Sequence, residues 1–191
     1  MRKGLSAAMT GCGLGALVGA AVAVTYVMLP PRDVPVAGRI EPAWAEIKWP
    51  FPIDQWGTGT AFRCRARDCG TEVDVYLRAK IGFCNCTTGI SDDEELERVA
   101  DLDLFGEQRH ALAPGRAIGV RWMKGRSRAH SFSSAPSEGR STLTIAFNDR
   151  CDVVVATVVA GHNRPADIES TALAFLNGET ARHWAEAALG L

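Results

Sequence analysis

Five cysteines are placed where thiol chemistry is conceivable: Cys64 and Cys69 in "FRCRARDCG", Cys84 and Cys86 in "KIGFCNC", and Cys151 in "NDRCDVVVA". Three kinds of chemistry compete for them. In an oxidising compartment they would be disulfide partners, with two bridges and one thiol left over. Cys84 and Cys86, one residue apart, fall on the same side of an extended strand, and a bridge between them would be strained. Each is therefore expected to pair elsewhere, with Cys64, Cys69 or Cys151. As a metal site, C-x4-C with C-x-C departs from the usual zinc spacings. The C-x-C pair Cys84 and Cys86 does suit soft Cu(I), for which two or three thiolates suffice. No Met-rich or His-rich run accompanies it, and His110, His130, His162 and His183 are scattered. A thiol–disulfide oxidoreductase would want C-x-x-C at a helix N-terminus, where the dipole lowers a thiol pKa. The spacing here differs, and no thioredoxin-like βαβ pattern surrounds it. The disulfide reading carries the most weight.

Other constellations are sparser. No G-x-S-x-G, S-x-x-K or H-E-x-x-H motif occurs, so nothing assembles a nucleophile, a base and an orienting group. Asp149, Arg150 and Asp152 mark a polar hairpin tip, and such tips are polar because they are wet. The acids Asp92, Asp93, Glu94 and Glu95 belong to the first turn of a predicted helix, where the dipole explains them without calcium. Arg116, Arg121, Lys124, Arg126 and Arg128 fall within 13 residues on one predicted hairpin. They are a candidate patch for anionic headgroups or an acidic partner, beside the plainer alternative of a solvated face.

The compartment is read from the other end of the chain. After Arg2 and Lys3 no charged residue appears until Arg32, and Gly11 to Leu29 is an uncharged, mostly apolar run. Its 19 residues would make a helix of about 28 Å, close to the roughly 30 Å hydrocarbon core of a bilayer. Pro30 and Pro31 stop it, and the basic flank orients its N-terminus to the cytoplasm. Cleavage at Ala43–Ala45 would lie far beyond the apolar run, and Cys12 precedes that run where a lipobox cysteine follows it. The organisation expected is a cytoplasmic tail over 1–10, an inner-membrane anchor over 11–29, a Pro-rich linker over 30–52 and a periplasmic domain over 53–191. Gly11, Gly15 and Gly19 share one face of the anchor, which suits helix–helix contact.

From residue 46 onward the chain holds 17 Lys and Arg against 20 Asp and Glu, which gives no general attraction to nucleic acid. Thr71 to Ala79 alternates as a half-buried strand and follows Gly59 to Arg65 in a first hairpin. Ser91 and Glu94 read as a capping box opening a helix. A strand–turn–strand is expected around Lys124-Gly125, and another around Asn148-Asp149. The strand after that turn is apolar almost throughout, as for a central strand covered on both faces. The C-terminal stretch is helical, with a break expected at Asn177-Gly178. Together these predict an α+β domain, an antiparallel sheet with helices packed on one face. Trp44, Trp49 and Trp56 are expected to pack as a lid on its core.

This order of elements, with its "WPFP…W" opening, a meander and a final packing helix, resembles PsbP/Mog1-type domains in layout. The run "WPFPIDQWGTGTAFRC…YLRAKIGFCNC…AFNDRCDVVVA" also resembles an uncharacterised type of proteobacterial anchored protein. The first resemblance implies accessory or assembly binding rather than catalysis; the second brings no known activity. The function expected is therefore a non-enzymatic binding, scaffold or assembly-accessory protein, with an envelope protein as partner and no cofactor. No motif points to a small-molecule substrate. Copper delivery through Cys84 and Cys86 is the alternative, and a thiol–disulfide oxidoreductase a third.

Overall fold

The computed structural model describes residues 43–133, 140–161 and 165–191. The expected anchor, Gly11–Leu29, lies outside them. Among the described residues no helix is long and apolar enough to cross a membrane.

The elements run β1 (Trp44–Ile47), β2 (Thr60–Cys64), α1 (Ala66–Cys69), β3 (Val73–Lys80), α2 (Asp93–Val99), a 3-10 turn (Leu102–Leu104), β4 (Arg109–Ala111), β5 (Arg116–Val120), β6 (Met123–Phe132), β7 (Ser141–Asp149), β8 (Asp152–Ala160), α3 (Pro165–Leu176) and α4 (Glu179–Leu189). All strands pair antiparallel in the order β1-β2-β3-β8-β7-β6-β4, and β5 also pairs with β6. A short ladder, β1 to β3, and a longer meander, β5 to β8, are joined along β3 and β8. The fold is thus α+β around one antiparallel sheet, as expected.

Its helices differ from the expectation: they cover both faces. Leu143, Ile145 and Phe147 of β7 share one core with Ala172, Phe175 and Leu176 of α3 and Ala181 and Ala185 of α4. Ala146, pointing the other way, packs with Val153 and Val155 and with Leu96 and Val99 of α2. The nearly continuous apolar run of β8 is explained by this double cover, since Val154, Ala156 and Val158 join the first core. The sheet side facing Asp74, Tyr76, Arg78 and Lys80 is likewise buried, although the alternation of β3 suggested a wet face.

Two hairpin turns sit away from the residues expected to make them. The β5–β6 turn is Arg121-Trp122, closed by Val120 and Met123, and Lys124 and Gly125 lie inside β6. Gly125 is there for closeness: a Cβ on it would stand 2.1 Å from the Ala146 carbonyl oxygen. The β7–β8 turn is Arg150-Cys151, with Asn148 and Asp149 still in β7. In each turn the left-handed position that usually selects glycine or asparagine holds an arginine, Arg121 at φ 54° and Arg150 at φ 52°. The helix α2 also begins one residue later than the capping box implied. Its cap is Asp92, whose carboxylate accepts the Glu95 N–H at 2.9 Å. The break between α3 and α4 falls at Asn177-Gly178, as expected.

Trp44 to Trp56, expected to be mostly linker, belongs to the domain. β1 pairs with β2, and the segment after it crosses the α2 side of the sheet as a strap. Trp44 packs on Phe175 on the α3 side. Trp49 packs edge-on against Phe51 and Tyr76, and Trp56 against Phe83. The lid expected of the tryptophans is present, divided between the two faces.

Candidate functional site

The cysteines resolve into two bridges and one thiol. Cys64 is bonded to Cys69, which clips α1 to the end of β2, and Cys86 is bonded to Cys151, which ties the loop after β3 to the β7–β8 turn. Cys84 is the free one, so the expectation that it pairs elsewhere is corrected. The reason is local. Its N–H bonds the Cys151 carbonyl at 3.1 Å, and its thiol donates to the Arg150 carbonyl at 3.2 Å, which turns the side chain inward while Cys86 faces Cys151. Burial raises the Cys84 thiol pKa, and the charge of Asp152 adds to the effect. An attacking thiolate needs the opposite shift. The Cu(I) pair proposed from Cys84 and Cys86 has one of its two sulfurs committed to Cys151. Among the described residues no three His, Cys, Asp or Glu side chains converge as a metal site.

The five basic residues of the expected anionic patch are only partly gathered: Arg126 and Arg128 both reach Asp93, and Arg116 and Arg128 line one cavity, while Arg121 and Lys124 stand apart from them. Arg126 pairs with Asp93, and Arg128 lies 3.2 Å from Glu97, both acids on α2. Arg121 bonds Glu179 at 2.7 Å and, through its N–H, Asn177 at 2.8 Å. Arg116 pairs with Glu169 of α3, on the other side of the sheet. Lys124 is exposed. Spacing in the sequence put these cations on one hairpin; the pleat and the acids of three helices distribute them. The acidic first turn of α2 thus has partners beyond the helix dipole, and Gly115 N–H also donates to Asp93 at 3.0 Å.

Under the strap lies a buried charge network. Arg78, fully buried, donates to Asp54 at 2.6 Å and lies 3.5 Å from Asp101, while Lys80 lies 2.9 Å from Asp101 and donates to the Val99 carbonyl at 2.6 Å. The Trp49 ring covers the Arg78 guanidinium at 5.0 Å and the Trp56 ring the Lys80 ammonium at 5.3 Å. Next to them Asp74 receives Arg63 at 2.6 Å and the Tyr76 hydroxyl at 3.3 Å. Burial, and then the Asp74 charge, push the Tyr76 hydroxyl up to about 12. Such a network fixes the strap in one place; it offers no open surface to a ligand.

Open space occurs instead at the sheet edge. Between the pairs Ala111–His130 and Arg116–Ser127 the edge strand has four residues, 112–115, against two on β6, Arg128 and Ala129. The surplus bows outward as a bulge. Pro114, with no N–H to give a ladder, sits in it, and Gly115 approaches α2 so closely that a Cβ would stand 2.3 Å from an Asp93 oxygen. Beneath the bulge, on the α3 side, is a cavity of about 280 Å3. Ala129 and Leu143 form its apolar wall, Ala113, Pro114 and Arg116 its rim, and Ser127 and Glu169 its polar end; Arg128 also lines it, held by the Ala113 carbonyl at 3.0 Å and by Glu97 at 3.2 Å. The Glu169 carboxylate is buried, accepts the Ser127 hydroxyl on one oxygen and pairs with Arg116 on the other.

Of these cavity residues Arg116 and Arg128 were singled out from the sequence. Ser127 and Glu169 are 42 positions apart, and one lies in a strand whose expected turn was misplaced. A glutamate on a helix that otherwise reads apolar, in "DIESTALAFL", is the one signal that could have pointed there. No protein-family model matches the chain, and no curated protein matches it.

Proposed function

We propose that this chain is a disulfide-stabilised binding protein of the bacterial envelope, non-enzymatic, held in the inner membrane by Gly11–Leu29 with its α+β domain in the periplasm. The observation that carries the reading is the pair of disulfides, Cys64–Cys69 and Cys86–Cys151, because such bridges persist outside the cytoplasm. The uncharged run before Arg32 and its basic flank support the anchor and its orientation. Against a redox enzyme stands the raised pKa of buried Cys84. The partner is another envelope component.

The test is a thiol count on the full chain expressed in a bacterium with an intact oxidising periplasm. Alkylation under denaturing conditions without reductant, followed by intact mass, should label Cys84 and the anchor's Cys12 only. Labelling of Cys64, Cys69, Cys86 and Cys151 as well would mean that the domain is kept reduced, and would overturn the extracytoplasmic assignment.

A further inference from the structure

The cavity beneath the edge bulge is arranged around a single buried carboxylate. Glu169 is 6% exposed, and Ser127, itself buried at 2%, fixes one of its oxygens from the sheet. A carboxylate removed from water in this way needs a cation. The cation it has is Arg116, whose side chain is 67% exposed and reaches in from the sheet edge. Arg116 therefore fills the polar end of the cavity from outside and leaves about 280 Å3 beside its contact unfilled. That volume is at the small end of ligand sites, and its apolar wall, Ala129 and Leu143, suits an aliphatic stem; the second cation in the lining, Arg128, is already paired with Glu97 and Asp93 of α2. Exchanging one guanidinium for another keeps Glu169 paired and returns Arg116 to water, so the exchange carries little desolvation penalty.

We propose that this cavity binds an alkylguanidinium or alkylammonium group, which replaces Arg116 on Glu169 while its stem lies along Ala129, Leu143 and Pro114. Arg116 is then an internal competitor. The group has two possible sources, a free organic cation or an arginine or lysine side chain of a polypeptide. The second has a place to run, because β5 pairs with β6 on one side only among the described strands, and an extended segment could add to its outer edge. This inference deepens the binding reading above and rests on it.

The experiment is calorimetric titration of the full chain in detergent micelles with n-butylguanidinium, and with an N-acetylated, C-amidated Thr-Val-Thr-Arg-Thr-Val-Thr peptide. Butyrate and the same peptide with a central Glu are the controls. Both cationic probes should bind saturably. Arg116→Ala, by removing the competitor, should tighten binding by about fivefold or more. Glu169→Gln should weaken it at least ~10-fold. Ala129→Leu, which fills the cavity and leaves every charge in place, should weaken it too, with the urea midpoint as the check that the fold is retained. A peptide at least ~10-fold tighter than butylguanidinium identifies a polypeptide side chain as the source, and equal affinities identify a free cation. The proposal is overturned if neither cationic probe binds, if Arg116→Ala weakens binding, or if butyrate binds through Arg116. If it fails while the thiol count still gives two bridges, the envelope reading stands and only this site is rejected.

Discussion

The two faces of the sheet are held to their helices by different physics. On the α3–α4 face one continuous apolar core runs from Phe62 and Val75 through Ile145 and Phe147 to Phe175 and Leu176. On the α2 face two smaller apolar clusters are separated by charge, with Arg78, Lys80 and Asp74 each nearly inaccessible. The first face tolerates sliding and repacking, since apolar contact is non-directional. The second specifies position, since a buried ion pair repays its desolvation only in good geometry. The strap and α2 are therefore placed by direction more than by area, while α3 and α4 are placed mainly by area, with the Glu169 contacts of α3 added at the sheet edge.

That contrast can be broken most sharply at Asp101, the acid shared by Arg78 and Lys80. Asp101→Ala should cost about 3–5 kcal/mol in urea denaturation, because two buried cations lose a partner. A cost below that of a single core methylene would mean that the charges do not hold this face. Replacing Cys86 and Cys151 together by serine should cost roughly 2–4 kcal/mol, since the bridge closes a long loop on the same side. On the apolar face Ile145→Val should cost about 1 kcal/mol, and the loss should not vary with pH between 4 and 8.

The smallest effect is expected in acid. The Gly115 N–H and then the Arg126 guanidinium hold the Asp93 carboxyl below its ordinary 3.8. A depressed carboxyl contributes stability above its unfolded pKa and loses it as pH falls through the folded one. Wild type should therefore be more stable than Asp93→Asn at pH 7, with the difference shrinking as pH falls below the ordinary carboxyl value of 3.8. A melting-temperature difference that does not shrink at all as the pH is lowered past 3.8 would assign Asp93 a role other than its charge.

The same contrast explains what could be read from the sequence. The α3–α4 face was legible: alternation in β7, the apolar run of β8 and the break at Asn177-Gly178 are local patterns produced by burial. The run of β8 also implied a second cover, which the one-sided helix packing expected from the C-terminal helices left out. The α2 face was not legible, because a strand carrying Asp74, Arg78 and Lys80 looks wet until its partners, 11 to 24 residues away, are known. Turns failed for a different reason. Lys124-Gly125 and Asn148-Asp149 carry turn chemistry, yet the tips are built on Arg121 and Arg150, held left-handed by Asn177 and by the bridge at Cys151. The odd count of cysteines gave the two bridges, but which thiol stays free depended on the turn that had been misplaced. The cavity residues meet only across a bulge, and two surplus residues in an edge strand leave no periodic trace.

The strap also has a mechanical consequence. Tension applied to the chain from its N-terminal side would reach the domain first at Trp44, at the free end of β1. A strand held by one neighbour and drawn from its end gives way bond by bond, at low force. The load would then reach Trp49 and the Asp54–Arg78 pair, where ring packing and an ion pair at 2.6 Å must yield together. The domain is thus fitted with a soft segment in series with a stiff latch, and a pull would extend the chain by about the length of β1 before it disturbed the remaining strands.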